Sequence, residues 1–258
     1  MTYMDVKLFD SHCHLQLSQF DADRDAVLAR MQEQGVGGVI IGTDLKSSRA
    51  GLELAKAHDF LWAAVGLHPN DNADEAFDVA AYEALARDPK VVAIGECGLD
   101  YFRTTGQGQR KRFELQIDLA QKLNKALVVH CRNAHEDMLD ILFSYSHELE
   151  NKKVPVVLHF FTGSGELAQK YLRLGCYLSF PGPVTYTDMY DDSIRVCPAD
   201  KMLIETDSPF AAPVPNRGKR NEPAYVADVA RKIAALKGIS YEEVAAVTLA
   251  NASSVFSL

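Results

Sequence analysis

Eight times along the chain a short apolar run is followed by an amphipathic segment, and few architectures accept that alternation. The runs are VKLFD, VGGVIIG, FLWAAVG, VVAIGE, ALVVH, VPVVLHF, CYLSF and KMLIETD. They are rich in Val, Ile, Leu and Phe and do not alternate with polar residues, as expected of parallel strands buried on both faces. The segments between them read as helices. In DADRDAVLARMQEQG, Val27, Leu28 and Met31 share one side and Gly35 is placed to end the helix. In QRKRFELQIDLAQKLN, Phe113, Leu115, Ile117, Leu119 and Leu123 lie among charges. Strand–helix alternation repeated eight times predicts an α/β fold, a closed (β/α)8 TIM barrel. An open doubly wound sheet is the competing architecture. It usually carries a glycine-rich phosphate loop after its first strand, and DSHCHL is nothing of the kind. The last segment, ISYEEVAAVTLANASSVFSL, is expected to form an additional C-terminal helix on the outside.

The 258 residues suit a single barrel domain spanning 1–258, and a hydrophobic content of 47% supplies a substantial core. No apolar run approaches the roughly 20 residues that span a membrane, so no membrane partner is expected. The segment MTYMDVKLFD does not have the pattern of a signal peptide. The five cysteines are odd in number and form no Cys-x-x-Cys pair, which fits a reducing cytoplasmic location better than a disulfide framework. A net charge of −8 argues against a surface coated for nucleic acid but leaves room for a local basic cleft.

Barrel active sites lie at the C-terminal ends of the strands. His12 and His14 end the first run, in FDSHCHL, and at that spacing in a strand they share a face. His68 follows the third run, Glu96 and Asp100 the fourth, His130 and Arg132 the fifth, His159 the sixth, and Glu205 and Asp207 the eighth. Five of the eight histidines thus fall at expected strand ends; the others, His58, His135 and His147, sit in or beside helices. Any one of the five, taken alone, is more often a satisfied loop or core residue. Folding does not require a histidine at the same edge of five strands. Imidazoles and carboxylates converging on one rim are the ligand set for divalent metals. A carboxylate near the middle of the ring, such as Glu96, has two oxygens with which to bridge two ions.

The motifs FDSHCHL, GLHP, VVAIGECGLDY, VVHCR, LHFFTG, LIETDSP and GKRNEPAYV resemble those of the TatD-related deoxyribonucleases, within the wider amidohydrolase group of metal-dependent barrels. The resemblance covers essentially the whole chain. It implies that His12, His14 and Asp207 bind one metal with Glu96 bridging, and that His130 and His159 join Glu96 around a second. It implies two divalent ions per chain, with zinc, manganese or magnesium left open. One departure stands out: Phe160 occupies the position after the sixth-strand histidine where the family usually has Cys. Strand alternation predicts that Phe160 faces away from His159. On this reading Asp207 orients a metal-activated water and takes its proton, and Glu96 is the other catalytic carboxylate.

Substrate contacts are expected from Arg132, on the same strand face as His130, from His68 beside the site, and from Lys219 and Arg220 after the last strand. There NRGKRNEPAYV places Asn221 as a helix cap and Pro223 in a first turn, a setting suited to a phosphate. A second basic stretch, Arg103 to Arg112, follows Tyr101 and Phe102. Either stretch is also what an ordinary solvated loop or helix face looks like. Together they favour DNA as the partner, single-stranded or at an end, over a long duplex lying across an acidic surface. The expected activity is a metal-dependent exonuclease. The competing readings are hydrolysis of another ester or amide at the same metals, such as an aminoacyl ester or lactone, and a non-catalytic nucleic-acid-binding module.

Overall fold

Each of the eight apolar runs forms a strand in a computed structural model of the protein, which describes residues 5–70, 76–102 and 106–258. The strands are β1 (Leu8–Cys13), β2 (Val36–Ile41), β3 (Leu61–Val65), β4 (Val91–Asp100), β5 (Ala126–Arg132), β6 (Val156–Leu158), β7 (Tyr177–Phe180) and β8 (Met202–Ile204). They pair in chain order and all in parallel. A parallel bridge between Cys13 and Ser208 brings the last strand's continuation back to the first. The helices α1 (Arg24–Gln34), α2 (Leu45–Lys56), α3 (Val79–Ala86), α4 (Gln109–Leu123), α5 (His135–Asn151), α6 (Gly165–Arg173), α7 (Asp191–Val196) and α8 (Val226–Lys237) follow the strands in turn, and α9 (Tyr241–Phe256) is the additional C-terminal helix. This is the TIM barrel. No helix among the described residues is long and apolar enough to cross a membrane.

Buried aliphatic residues on both faces of the strands explain why the runs do not alternate; β1, β2 and β4 are buried at every position. Gly35 ends α1 at φ 66°, where a left-handed turn suits glycine. The β1–β8 seam is sealed from outside by α9. Phe9 on β1 has its ring 6.2 Å from that of Phe256 and 5.8 Å from that of Trp62. Burying such a side chain contributes about 1.5–3 kcal/mol. Asn251 on α9 donates from Nδ2 to the carbonyls of Ala199 and Met202, at 2.7 Å each, tying the helix to the start of β8.

Two irregularities in strand pairing matter for the site. Between Asp10↔Gly38 and Cys13↔Ile40, β1 carries one residue more than β2, and His12 lies in that interval. Between Ile94↔Leu127 and Cys97↔Val129, β4 carries one residue more than β5, and Glu96 lies there. An extra residue re-aims the side chains around it. The β4 interval is framed by Gly95 (φ 145°) and Gly98 (φ 132°). A Cβ would stand 2.5 Å from the Val128 carbonyl oxygen at the first and 2.1 Å from that of His130 at the second. Only glycine lets β4 lie this close to β5 while turning Glu96 inward.

Candidate metal centre

The C-terminal rim gathers the histidines that the strand ends promised. His12 and His14 bring their Nε2 atoms to 3.2 Å of each other. Glu96 Oε2 lies 3.3 Å from His12 Nε2 and 3.9 Å from His14 Nε2. Asp207 Oδ1 lies 3.3 Å from His14 Nε2 and 3.7 Å from His12 Nε2. The other oxygen of the same glutamate, Oε1, stands 2.9 Å from both His130 Nδ1 and His159 Nε2. Among the described residues, two of four such groups of ligand atoms share Glu96, His12–His14–Glu96 and Glu96–His130–His159, each with all its atoms within 4.8 Å of one another. Glu96 belongs to both.

The backing of each ring decides whether these groups fit a cation. His14 Nδ1 donates to the Ile41 carbonyl at 2.9 Å, so the neutral ring turns a lone pair on Nε2 inward. His159 Nδ1 meets Glu205 Oε1 at 3.2 Å and His130 Nε2 meets Asp100 Oδ2 at 3.1 Å, so each also presents its other nitrogen to Glu96. Imidazoles held from behind by a carbonyl or carboxylate are the usual arrangement of metal-ligating histidines. Glu96 Oε1 facing two such nitrogens at 2.9 Å needs positive charge between them, as protons or as a divalent ion. The residues therefore fit divalent metal at this rim, with Glu96 shared between the two groups. His12 Nδ1 and Glu205 Oε2 are buried without a hydrogen-bond partner among the described residues.

The electrostatics tell the same story. Burial disfavours ionised Glu96, but His159, His68 and hydrogen bonds from His12 and His130 outweigh it and hold this carboxyl well below the ordinary range. Burial likewise disfavours charged His159. Glu96 and Glu205 overcome that and raise its pKa well above the usual value. His14 and His130 are raised against burial by Asp207 with Glu96, and by Asp100 with Glu96. His12, buried and stacked on His159 with ring centroids 3.8 Å apart, falls to about 3. A cluster that pulls protons in when metal-free is one that a divalent ion replaces with its own charge.

His68 stands beside this cluster, with Nε2 3.6 Å from Glu96 Oε1. Its Nδ1 accepts the Asn70 N–H at 3.2 Å, which in the neutral ring leaves the proton on Nε2, facing the glutamate. It lines a cavity of about 510 Å³ over the centre, together with His14, Glu96, Asp100, His130, Arg132, His159, Asp207 and others. Arg132 lies over the Phe102 ring, 3.8 Å from its centroid. Cys131 also lines the cavity, 3.3 Å from His135 Nδ1, and burial pushes its thiol up to about 12, which disfavours the thiolate.

Several expectations meet a different structure. Lys219 and Arg220 are not among the cavity-lining residues. Arg220 instead grips both oxygens of Asp23, at 2.6 and 2.7 Å, contacts Glu222 at 3.1 Å and lies over Phe20. Lys219 is exposed. Asn221 does not cap a helix: a 3-10 turn, Pro223–Tyr225, precedes α8, and Asn221 Nδ2 donates to the carbonyls of Thr206 and Phe210 at 2.8 and 2.7 Å. It pins the loop that carries Asp207. Phe160 does not turn away. The strand β6 stops at Leu158, and at φ 45° Phe160 has left the extended geometry on which alternation depends, so its side chain lines the cavity. Residues 103–105 of the second basic stretch lie outside the described residues. Sequence reasoning missed Gln109 and Gln116, two buried amides of α4. Gln116 exchanges hydrogen bonds with both backbone groups of Leu67, and Gln109 does the same for Asp100, fixing the loop that bears His68 and the end of β4.

An eight-stranded parallel barrel whose C-terminal rim turns imidazoles and shared carboxylates inward has the build of a metal-dependent hydrolase. A family model described as TatD related DNase matches residues 9–257. The chain is 40% identical over 255 residues to the metal-dependent hydrolase YabD of Bacillus subtilis, covering 96% of this chain and 98% of that protein. It is 37% identical over 260 residues to the 3'-5' ssDNA/RNA exonuclease TatD of Salmonella typhimurium, covering 96% and 98%. The crystal structure of YjjV, a TatD homologue from Escherichia coli K12, superposes with a TM-score of 0.90 at 28% identity, covering 99% of this chain and all of the other. The protein belongs to the TatD-related DNase family of metal-dependent hydrolases.

Proposed function

We propose that this protein hydrolyses phosphodiester bonds in DNA from a strand end, with two divalent ions held by His12, His14, Glu96, His130, His159 and Asp207. The observation that carries the reading is Glu96: its two oxygens serve two separate imidazole groups at the floor of one cavity. The similarity to a 3'-5' ssDNA/RNA exonuclease supports nucleic acid as the substrate class. Ions in these groups would supply the charge that makes a water nucleophilic near neutral pH and neutralises a phosphate.

The chain's own residues do the rest. Asp207, whose side chain is 16% exposed against 5% for Glu96, faces the cavity and takes the proton of the attacking water. Glu96 stays ionised and holds the two groups in register. Arg132 contacts the non-bridging phosphate oxygens, where negative charge grows as the bond breaks, and His68 lines the same cavity beside them. The low exposure of the cluster strengthens each of these contacts. The test is metal analysis of the purified protein, then turnover of end-labelled single-stranded DNA beside a panel of aryl esters and lactones, with and without chelator. The reading expects chelator-sensitive release of nucleotides from DNA. Turnover of the esters or lactones with intact DNA would overturn it.

A further inference from the structure

Two phenyl rings, those of Phe160 and Phe210, line the cavity and lie outside the buried hydrophobic core. Phe210 is 48% exposed. Phe160 is half-buried and sits at φ 45°, a conformation unfavourable for a bulky side chain. Each is fastened to a residue that orders the metal-facing cluster. The Phe160 N–H donates to Glu205 Oε1 at 2.8 Å, the same oxygen that holds His159 Nδ1. The Phe210 N–H donates to the Asp207 carbonyl at 2.9 Å, and the carbonyl of Phe210 accepts from Asn221. The ring centroids of Phe160 and His159 are 6.0 Å apart, and those of Phe210 and His14 6.2 Å. Each phenyl ring therefore lies beside an imidazole of the cluster. Apart from these rings and the polar groups, the cavity wall offers little apolar surface: Leu17 and Cys131.

We propose that Phe160 and Phe210 form a nucleobase subsite, taking the flat face of the base whose phosphate lies over the imidazole–carboxylate cluster. This rests on the phosphodiester reading and adds what the site recognises beside the phosphate. An aromatic face stacks on any base, so the subsite is tolerant of sequence. A base inside a duplex has both faces covered by its neighbours. The subsite consequently selects single strands and frayed ends, and it does so with side chains that take no part in bond cleavage.

The experiment measures binding, not turnover. Zinc-loaded protein is titrated calorimetrically with 2'-deoxyadenosine 5'-monophosphate and with 2-deoxyribose 5-phosphate, which carries the same phosphate and no base. The native protein is expected to bind the base-bearing ligand about tenfold tighter. Phe210→Ala and Phe160→Ala should each erase most of that preference and leave the affinity for the sugar phosphate unchanged, while Phe210→Trp should retain it. Because Phe210 is exposed, its variants test the idea even if Phe160→Ala folds poorly. Equal affinity for the two ligands in the native protein, or parallel loss of both in the phenylalanine variants, overturns the subsite. Binding of neither ligand overturns the subsite and the phosphodiester reading together.

Discussion

On the proposed reading, Asp207 and Arg132 would separate the chemical step from substrate binding at the scale of single residues. Asp207 sits at φ 54° with its N–H on the His12 carbonyl, so its backbone is held from β1 while its carboxylate faces the cavity. Asp207→Asn keeps the shape but cannot accept a proton. It should lower kcat about 10²–10⁴-fold while phosphate binding survives, since general-base help has that size. Undiminished kcat in this variant would remove Asp207 from the proton's path. Arg132 has no carboxylate partner among the described residues, and Glu205 is already engaged by His159 and the Phe160 N–H. A role for Arg132 in holding strand ends together is thereby unsupported. Arg132→Lys should weaken cleavage of DNA and spare any uncharged ester, because a guanidinium both forks onto a phosphate and lies flat on Phe102. Parallel loss of both activities with a lowered melting temperature would contradict it. The site's histidines were legible because imidazoles at strand ends serve no packing purpose. Phe160 and Arg220 were not legible: one depends on a left-handed backbone angle, the other on Asp23, 197 residues away in the chain.

Among the elements, the loop after β8 shows how the frame holds the chemistry. It leaves the sheet at Ile204 and carries Asp207 and Phe210, and its shape is set by Asn221 from beyond the next turn. Asn221 is fully buried, accepts the Glu222 N–H on Oδ1 and satisfies two carbonyls with Nδ2. Asn221→Ala leaves those groups unpaired, at about 1–3 kcal/mol for each buried group left without a partner. The melting temperature should drop by about 2–4 °C per kcal/mol for a domain of this size. Turnover should fall further than stability explains, because Asp207 loses its fixed place. A normal kcat in the folded fraction would show that Asn221 only holds the fold. The sequence marks this asparagine as a cap, since Asn before Pro often is one. What it hides is that the loop folds back under Asn221 and claims its amide first. The same limit applies to Gln109 and Gln116, whose amides look like ordinary helix surface until the end of β4 and the loop bearing Leu67 close over them. Strand and helix order, by contrast, follows from local patterns and was readable throughout.

For the whole molecule, the proposed metal site would link ion occupancy to folding. His14, His130 and His159 have folded-state pKa values raised above the unfolded value of about 6.5. Their contribution to stability is fully present below that pH and is lost as pH rises through the raised values. Glu96, held low, contributes above its unfolded value of about 4.3 and loses its contribution as pH falls. His12, lowered to about 3, favours the fold above about 6.5 and loses that contribution as pH falls toward 3. Above pH 6.5, therefore, these shifts act in one direction: metal-free protein gives up stabilisation as the three raised imidazoles lose their protons, leaving Glu96 and Asp207 with less positive charge around them. Divalent ions held by the deprotonated rings would restore it, and by binding only the folded state they would stabilise in proportion to the logarithm of their concentration over Kd. Melting temperatures of chelated and metal-loaded protein, measured between pH 6.5 and 9, should diverge. The chelated protein should fall with pH, and the gap between the two should widen. A gap that is constant or narrows with pH would mean that protons and metal do not compete for these imidazoles, and the proposed ligand set would have to be redrawn.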